Sequence, residues 1–381
     1  MRHAVHWVVA ALIVIHGLIH LLGVAKGFGW TEVAQLSEPI GKGMAFAWLA
    51  AGVVVTTTGV LFASRVTWWW IVGIVAVVLS QAVIITSWSD AKAGTVANVI
   101  LLVAVMFGFF AEGPTGLRSE YRRRSAPFSA KPAVSGDPAA LLQPEDLAHL
   151  PAVVARYIAA VGAIGKPRVG GFRAVIHGRI RSGPDEAWMP WRGEQVNTYG
   201  SGLGRVFYMD ATMRGVPADV LHVYEGSAAT MRVKVASLLT VVDAKGPEMD
   251  RAETVTLLND MCIMAPGALA DAPIEWTILG ERRVRAVYTN AGHTVRAELI
   301  FDDDDQLVDF VSDDRYRTMA DKTLLPQRWS TPLADYRDFS GSRVATFGQG
   351  WWHPEGEAPF GYLEFHIDHI TYTPATNAAI R

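Results

Sequence analysis

Four groups of side chains in this sequence have types and spacings that could do chemistry. Glu253 and Asp260 are seven residues apart, so on a helix they share one face. A carboxylate pair can serve as general acid and base, with Arg315 or His366 as a possible partner. His16 and His20 are four apart and also share a face, roughly 40° apart at 3.6 residues per turn. Haem ligation fails on geometry, because opposed axial ligands need two helices and no other long apolar segment holds a histidine. A metal would need Glu32, Glu38 or Asp90 from a loop. The simpler expectation is that the two imidazoles hydrogen-bond to Ser80, Gln81 or the Thr56–Thr58 run on neighbouring helices. No metal is therefore expected, and no cofactor.

Glu364, His366 and Asp368 alternate along an expected strand and share its face. They could hold a metal only with help from another element, and a polar outer face explains them as well. The run Asp302–Asp305 lacks the spaced ligands and closing Glu of a calcium loop and reads as a solvated turn. The chain has no HExxH, CxxC or phosphate-binding loop, and no nucleophile–base arrangement. Its single Cys262 excludes an internal disulfide. A net charge of −3 argues against a nucleic-acid partner, which would call for a basic surface.

Aromatic and methionine side chains suit an apolar ligand cavity. The candidates for its lining are Phe207, Met209, Met213, Met231, Met261, Trp276 and Trp329, although an ordinary core uses the same residues.

The elements that must position these groups follow from the uneven charge. Residues 1–111 carry only 8 of the 71 charged side chains, which rules out one soluble globule. Ala4–Val24, Met44–Ala63, Trp68–Trp88 and Gly94–Ala111 are each long enough to cross a hydrocarbon core of roughly 30 Å, and in lipid they must be helices. Arg2 with Gly23-Val24-Ala25 has the outline of a cleaved signal, but the long apolar stretch containing two histidines favours a retained span. Residues 112–143 read as a basic flexible linker. Residues 144–381 read as an antiparallel β-rich domain with covering helices. A short helix is expected from Pro144, another from Pro151 to Val161, and one from Pro247 to Met264. The last is expected to be amphipathic, with its apolar side on the sheet and its polar side toward solvent or loop amides. Alternation such as Phe207, Met209, Ala211 and Met213 against Tyr208, Asp210, Thr212 and Arg214 marks half-buried strands. Ten or more of them predict a large curved antiparallel sheet, closed or partly closed into a barrel.

The basic residues near the span ends set the expected orientation. Arg118, Arg122, Arg123, Arg124 and Lys131 follow the fourth span, against one or two basic residues in each outward loop. The reading is a multi-pass inner-membrane protein whose termini and β-domain are cytoplasmic, with the arginine run against anionic lipid.

Three stretches stand out: Glu253-Thr254-Val255 with Leu258-Asn259-Asp260-Met261 and Pro266; Arg328-Trp329-Ser330-Thr331-Pro332 with Tyr336-Arg337; and Trp352 ahead of Gly361-Tyr362. Together they resemble a bacterial family known as domain of unknown function 6544. The resemblance covers roughly residues 145–375, with a four-span region as a common companion. It implies a likeness to LolA/LppX-type lipid-binding domains, in which a curved antiparallel sheet wraps helices around an apolar cavity. No catalytic residue comes with it. One departure stands out: those carriers work outside the cytoplasm. The expected function is thus binding of a lipid or other apolar ligand by a membrane-anchored domain. A membrane-anchored enzyme using the 247–264 carboxylates, and a scaffold without a small ligand, are the alternatives.

Overall fold

The computed structural model describes residues 2–128, 141–199, 204–319 and 323–375, in two compact units divided between Glu120 and Tyr121. The first unit is helical: α1 (Arg2–Ile19), α2 (Leu21–Gly27), α3 (Lys42–Ala63), α4 (Trp69–Thr86), α5 (Trp88–Ala91) and α6 (Gly94–Glu112). α1 packs on α3, α3 on α4, and α4 on α6. Four helices in this unit are long and apolar enough to cross a membrane, and outward side chains such as Val53, Val78 and Val103 are exposed. Small residues set the close approach of α1 and α3: a Cβ on Gly17 would lie 2.7 Å from the Thr56 amide nitrogen, a contact that membrane helices reserve for glycine.

A polar network crosses the interior of this unit. His16 Nε2 lies 2.9 Å from Asn98 Oδ1 and 3.2 Å from Ser80 Oγ, while His20 Nε2 lies 3.0 Å from the same hydroxyl. His20 Nδ1 donates to the His16 carbonyl, and Asn98 Nδ2 donates to Gln81 Oε1. The two histidines therefore have the interhelical partners expected of neutral imidazoles, with Asn98 as an addition to the expected set. Among the described residues no cluster of three or more His, Cys, Asp or Glu side chains could hold a metal.

Within the stretch expected as a flexible linker, Leu117–Ser125 forms α7 and a 3-10 turn follows at Ala126–Phe128. Residues 129–140, including Lys131, lie outside the described residues. Arg124 ion-pairs with Glu225 at 2.8 Å, and the Tyr121 ring sits 6.0 Å from that of Tyr208, so these two residues lie against the β-domain.

The β-domain begins with a 3-10 turn at Pro144–Leu147 and α8 (Ala152–Ala160), which ends ahead of Gly162 at φ +74°, a conformation only glycine adopts without strain. Then β1 (Val169–Ile180), β2 (Met189–Thr198), β3 (Gly204–Met213), β4 (Val216–Glu225), β5 (Ala228–Val235) and β6 (Leu239–Lys245) form successive antiparallel pairs. After α9 (Pro247–Met264) come β7 (Ile274–Gly280), β8 (Arg283–Asn290), β9 (His293–Phe301) and β10 (Leu307–Ser312). β11 (Tyr316–Thr318) and β12 (Leu324–Pro326) make a separate two-stranded ribbon. β13 (Arg328–Ser330), β14 (Leu333–Phe339), β15 (Ser342–His353) and β16 (Phe360–Pro374) complete the sheet. β16 pairs with β1 and joins the two halves into one 14-stranded antiparallel sheet, with β6 and β7 as its open edges. It is a half-barrel and not a closed one.

α9 lies inside this curve and contacts β5 and β6 on one side and β9, β10 and β15 on the other. Pro247 opens it at the first turn, where a missing N–H costs nothing. From Ala252 to Met264 every residue except Thr256 is buried. The expected solvent-facing side is thus absent, and α9 is a core helix whose polar residues must find partners within the protein.

Candidate functional site

The concave faces of β1 to β5, β13, β15 and β16, the β11–β12 ribbon and one side of α9 surround a cavity of about 480 Å³. Strand register explains its graded lining, because residues two apart share a face. Asn197 of β2, Arg205 of β3 and Tyr224 of β4 are adjacent in one cross-strand row; Gln195, Phe207, His222 and Met231 form the next. Farther along come Gly193 opposite Met209, then Trp191, then Met189 opposite Ile180. The rows around Arg205 are polar and those beyond them apolar, as far as Arg181 and Ser182. Gly193 makes room for this arrangement, since a Cβ there would fall 2.7 Å from the Phe207 ring.

The polar end is built on Arg205, which is 7% exposed. Its Nε donates to Asp260 Oδ2 at 2.7 Å and its Nη1 to Glu253 Oε2 at 3.0 Å. Gln195 Nε2 and Asn197 Nδ2 also donate to Asp260 Oδ2, at 2.6 and 3.0 Å. Arg315 Nη1 donates to the Ala252 carbonyl and to Thr256 Oγ1, and lies 3.8 Å from Glu253 Oε1. Its guanidinium rests 4.7 Å over the Trp329 ring. His222 Nδ1 sits 3.6 Å from Glu253 Oε1. The two carboxylates respond oppositely. Burial would raise both; at Glu253 the charges of Arg205, His222 and Arg315 prevail and hold the carboxyl well below its usual range. At Asp260 burial prevails over Arg205 and the amide donors, and the neighbouring Glu253 charge adds to it, so its pKa is raised.

Of the seven side chains expected to line a ligand cavity, Phe207, Met209, Met231 and Trp329 do so. Met261 is 2% exposed in the packed core. Met213 and Trp276 pack against that core from its margin. Parity set the inward face correctly at Met213, but the residue lies at the β3–β4 hairpin, beyond the end of the cavity. Trp276 is on the edge strand β7, and Met261 turns away from the sheet half that forms the site.

Glu253 and Asp260 both line the cavity, and Arg315 joins them; His366 does not. On β16 the inward residues are Leu363 and Phe365. Glu364, His366 and Asp368 instead pair with β1: Glu364 with Arg179, His366 stacked on His177, and Asp368 2.8 Å from His177 Nδ1. The sequence reading missed Arg205, Gln195, Asn197 and His222. Arg205 was within reach of the strand pattern, since the alternation that turns Phe207 and Met209 inward does the same for residue 205.

The three sequence stretches that carry the family resemblance meet here. Glu253, Asn259 and Asp260 from the first, Trp329 and Thr331 from the second, and Trp352 and Tyr362 from the third all line this cavity. Asn259 Nδ2 donates to Thr331 Oγ1 at 3.3 Å, and the Trp352 and Tyr362 rings stack 5.4 Å apart.

An open antiparallel half-barrel around a core helix, with a cavity between them, is the class of protein that fold and site define. A family model described as a family of unknown function (DUF6544) matches residues 140–365, and the chain belongs to that family. No curated protein matches it. Among solved structures it is similar to a putative outer membrane lipoprotein-sorting protein domain from Vibrio parahaemolyticus (11% identity, TM-score 0.32, 55% of this chain and 87% of that one). It is also similar to a LolA superfamily protein from Nitrosomonas europaea (10%, TM-score 0.32, 59% and 96%), and to a DUF1329 family protein from Desulfovibrio piger (10%, TM-score 0.36, 60% and 96%).

Proposed function

We propose that this protein is an integral membrane protein whose β-domain holds the apolar chain of a lipid-like ligand. The observation that carries this reading is the cavity itself, whose apolar run is continuous from Phe207 and Met209 to Trp191 and Met189. Its size and length suit an alkyl chain: about 480 Å³ lies within the roughly 300–1,000 Å³ of small-ligand sites, and from Gln195 to Met189 is about 20 Å of strand at 3.3 Å per residue. An unfilled interior also speaks against a scaffold role without a ligand. Within this reading the bilayer is both anchor and source of ligand, and no nucleic acid is involved.

The test uses the full chain in phosphatidylcholine nanodiscs with a photoreactive palmitate bearing a diazirine near its terminal carbon. The expected adducts fall on Met209, Met231 or Trp329. Adducts confined to the helices of residues 2–112 would overturn the reading.

The basic run after α6 supports a cytoplasmic β-domain. Cys262 is buried, so a Ser182→Cys variant supplies the accessible thiol. A membrane-impermeant maleimide should label it only after spheroplasts are opened, and labelling of intact spheroplasts would reverse the orientation.

One observation favours a second reading. A carboxyl with a raised pKa beside one held ionised is the pattern of an acid and a base at one site. Under this reading the full chain hydrolyses palmitoyl esters and Asp260→Asn abolishes the release of palmitate. Equal release by wild type and variant would remove it.

A further inference from the structure

The charges of the cavity are not balanced along its length. At the polar end Arg205 and Arg315 face Glu253 and Asp260, two against two, and the donors of Arg205 are taken up by Asp260, Glu253 and Gln195. At the opposite end the exposed lining residues Ser182 and Thr318 mark the mouth. Each has an arginine immediately before it, Arg181 and Arg317, and both of these line the cavity.

Both guanidiniums contact consecutive residues of β16. Arg181 Nε donates to the Gly361 carbonyl at 2.8 Å, and the Arg317 guanidinium lies 4.8 Å over the Phe360 ring, the preceding residue of β16. Arg181 is further fixed by the Trp188 ring at 4.6 Å and by the Pro184 carbonyl. Every one of these contacts is with a neutral group. Neither arginine has a carboxylate within ion-pair distance among the described residues, although other arginines of this domain, Arg156, Arg168, Arg179 and Arg328 among them, do. Glu248 also lines the cavity, so its lining carries four arginines against three carboxylates, and an anionic head that reaches both guanidiniums offsets the excess. Arginine forks suit carboxylate and phosphate oxygens in particular.

We infer that Arg181 and Arg317 form a head-group site at the mouth of the cavity, and that the ligand is a single-chain amphiphile with an anionic oxygen head, a carboxylate or a phosphate monoester. This rests on the reading that the cavity holds a chain. The tail enters past Ile180 and Met189, and the head stays at the rim in contact with both guanidiniums.

Displacement of the photoreactive palmitate from the full chain in phosphatidylcholine nanodiscs tests it. The competitors are palmitate, palmitoyl lysophosphatidic acid and hexadecanol, which carry chains of the same length. Either acid should compete on the order of tenfold more strongly than hexadecanol, the effect of one charge-assisted hydrogen bond. Which acid competes better assigns the head to a free fatty acid or a monoacyl phosphate. In Arg181→Gln/Arg317→Gln the acids should fall to the level of hexadecanol, whose own competition stays unchanged; Arg181→Lys/Arg317→Lys should keep the preference. Equal competition by hexadecanol in the wild type, or a preference that survives the double glutamine variant, would overturn the head-group site and leave the chain-binding reading standing. If no competitor displaces the probe, both fall.

Discussion

Arg205 on β3 donates its Nε–H to Asp260 Oδ2 on α9 across 2.7 Å, with the side chains of both residues 8% exposed. This bond ties the core helix to the sheet half that forms the cavity. A buried ion pair is weak evidence for net stability, but breaking one by removing a single partner leaves an uncompensated charge. In this domain it would leave Asp260 without a cation, while Glu253 keeps Arg315 at 3.8 Å.

Arg205→Met should therefore destabilise the β-domain by about 3–5 kcal/mol, read from denaturant unfolding of the full chain followed by tryptophan fluorescence. Removing the charges together, as Arg205→Met/Glu253→Gln/Asp260→Asn, should restore a large part of that loss. A single variant as stable as the wild type would mean that the cluster is not what fixes α9.

The raised carboxyls give a definite sign to the pH dependence. Asp260 is raised by burial, and Asp309 is raised by burial to about 6. A carboxyl that keeps its proton longer when folded loses relative stability as pH rises from its unfolded value to its folded one. For Asp309 that window runs from about 4 to about 6. Glu253 is lowered, so its contribution is present above the ordinary carboxylate value and is lost only as pH falls through its folded value. Asp309→Asn should flatten the decline between pH 4 and 6, whereas Glu253→Gln should lower stability at neutral pH. Unfolding midpoints measured across pH 3–8 check both signs.

Much of this fold can be read from the sequence, and the limits of that reading are physical. The bounds of α9 follow from Pro247 and Pro266, and most strands follow from alternation. β6 escaped because an edge strand needs no sustained buried face: Leu239 and Val241 are both exposed. β11 and β12 are three residues each, too short to show a period. Residues 328–339 form two short strands and not one, since β13 pairs with β10 on one side and β15 on the other, while β14 pairs with β15. At the site, parity reveals which way Phe207, Met209 and Met213 point, but not where along the strand the cavity ends. The polar face of α9 was misread because a helix buried on all sides and one half in water can carry the same residues. What separates them is the partner supplied by distant strands, and Arg205 is that partner.

Filling the cavity should abolish uptake without unfolding the domain. Met231 lines the cavity and is only half-buried, so Met231→Trp can place its added bulk in existing space. Overpacking a filled core costs roughly 1–3 kcal/mol; here the loss should stay below about 1 kcal/mol, while labelling by the photoreactive palmitate falls by at least about tenfold, the equivalent of 1.4 kcal/mol of binding.

In the helical unit, Ser80 is the hydroxyl shared by His16, His20 and Asn98. Ser80→Ala should lower the stability of that unit by about 0.6–1.7 kcal/mol, the measured span for interhelical polar contacts in membranes. Val78→Ala, which alters an outward side chain on the same helix, serves as the control in detergent-unfolding assays and should change stability less.

Native mass spectrometry of the full chain, released from nanodiscs and followed by lipid extraction, tests the central claim most directly. The account predicts a bound population heavier by one single-chain amphiphile, lost on Met231→Trp. A protein that is uniformly empty, or whose bound mass is unaffected by filling the cavity, would contradict it.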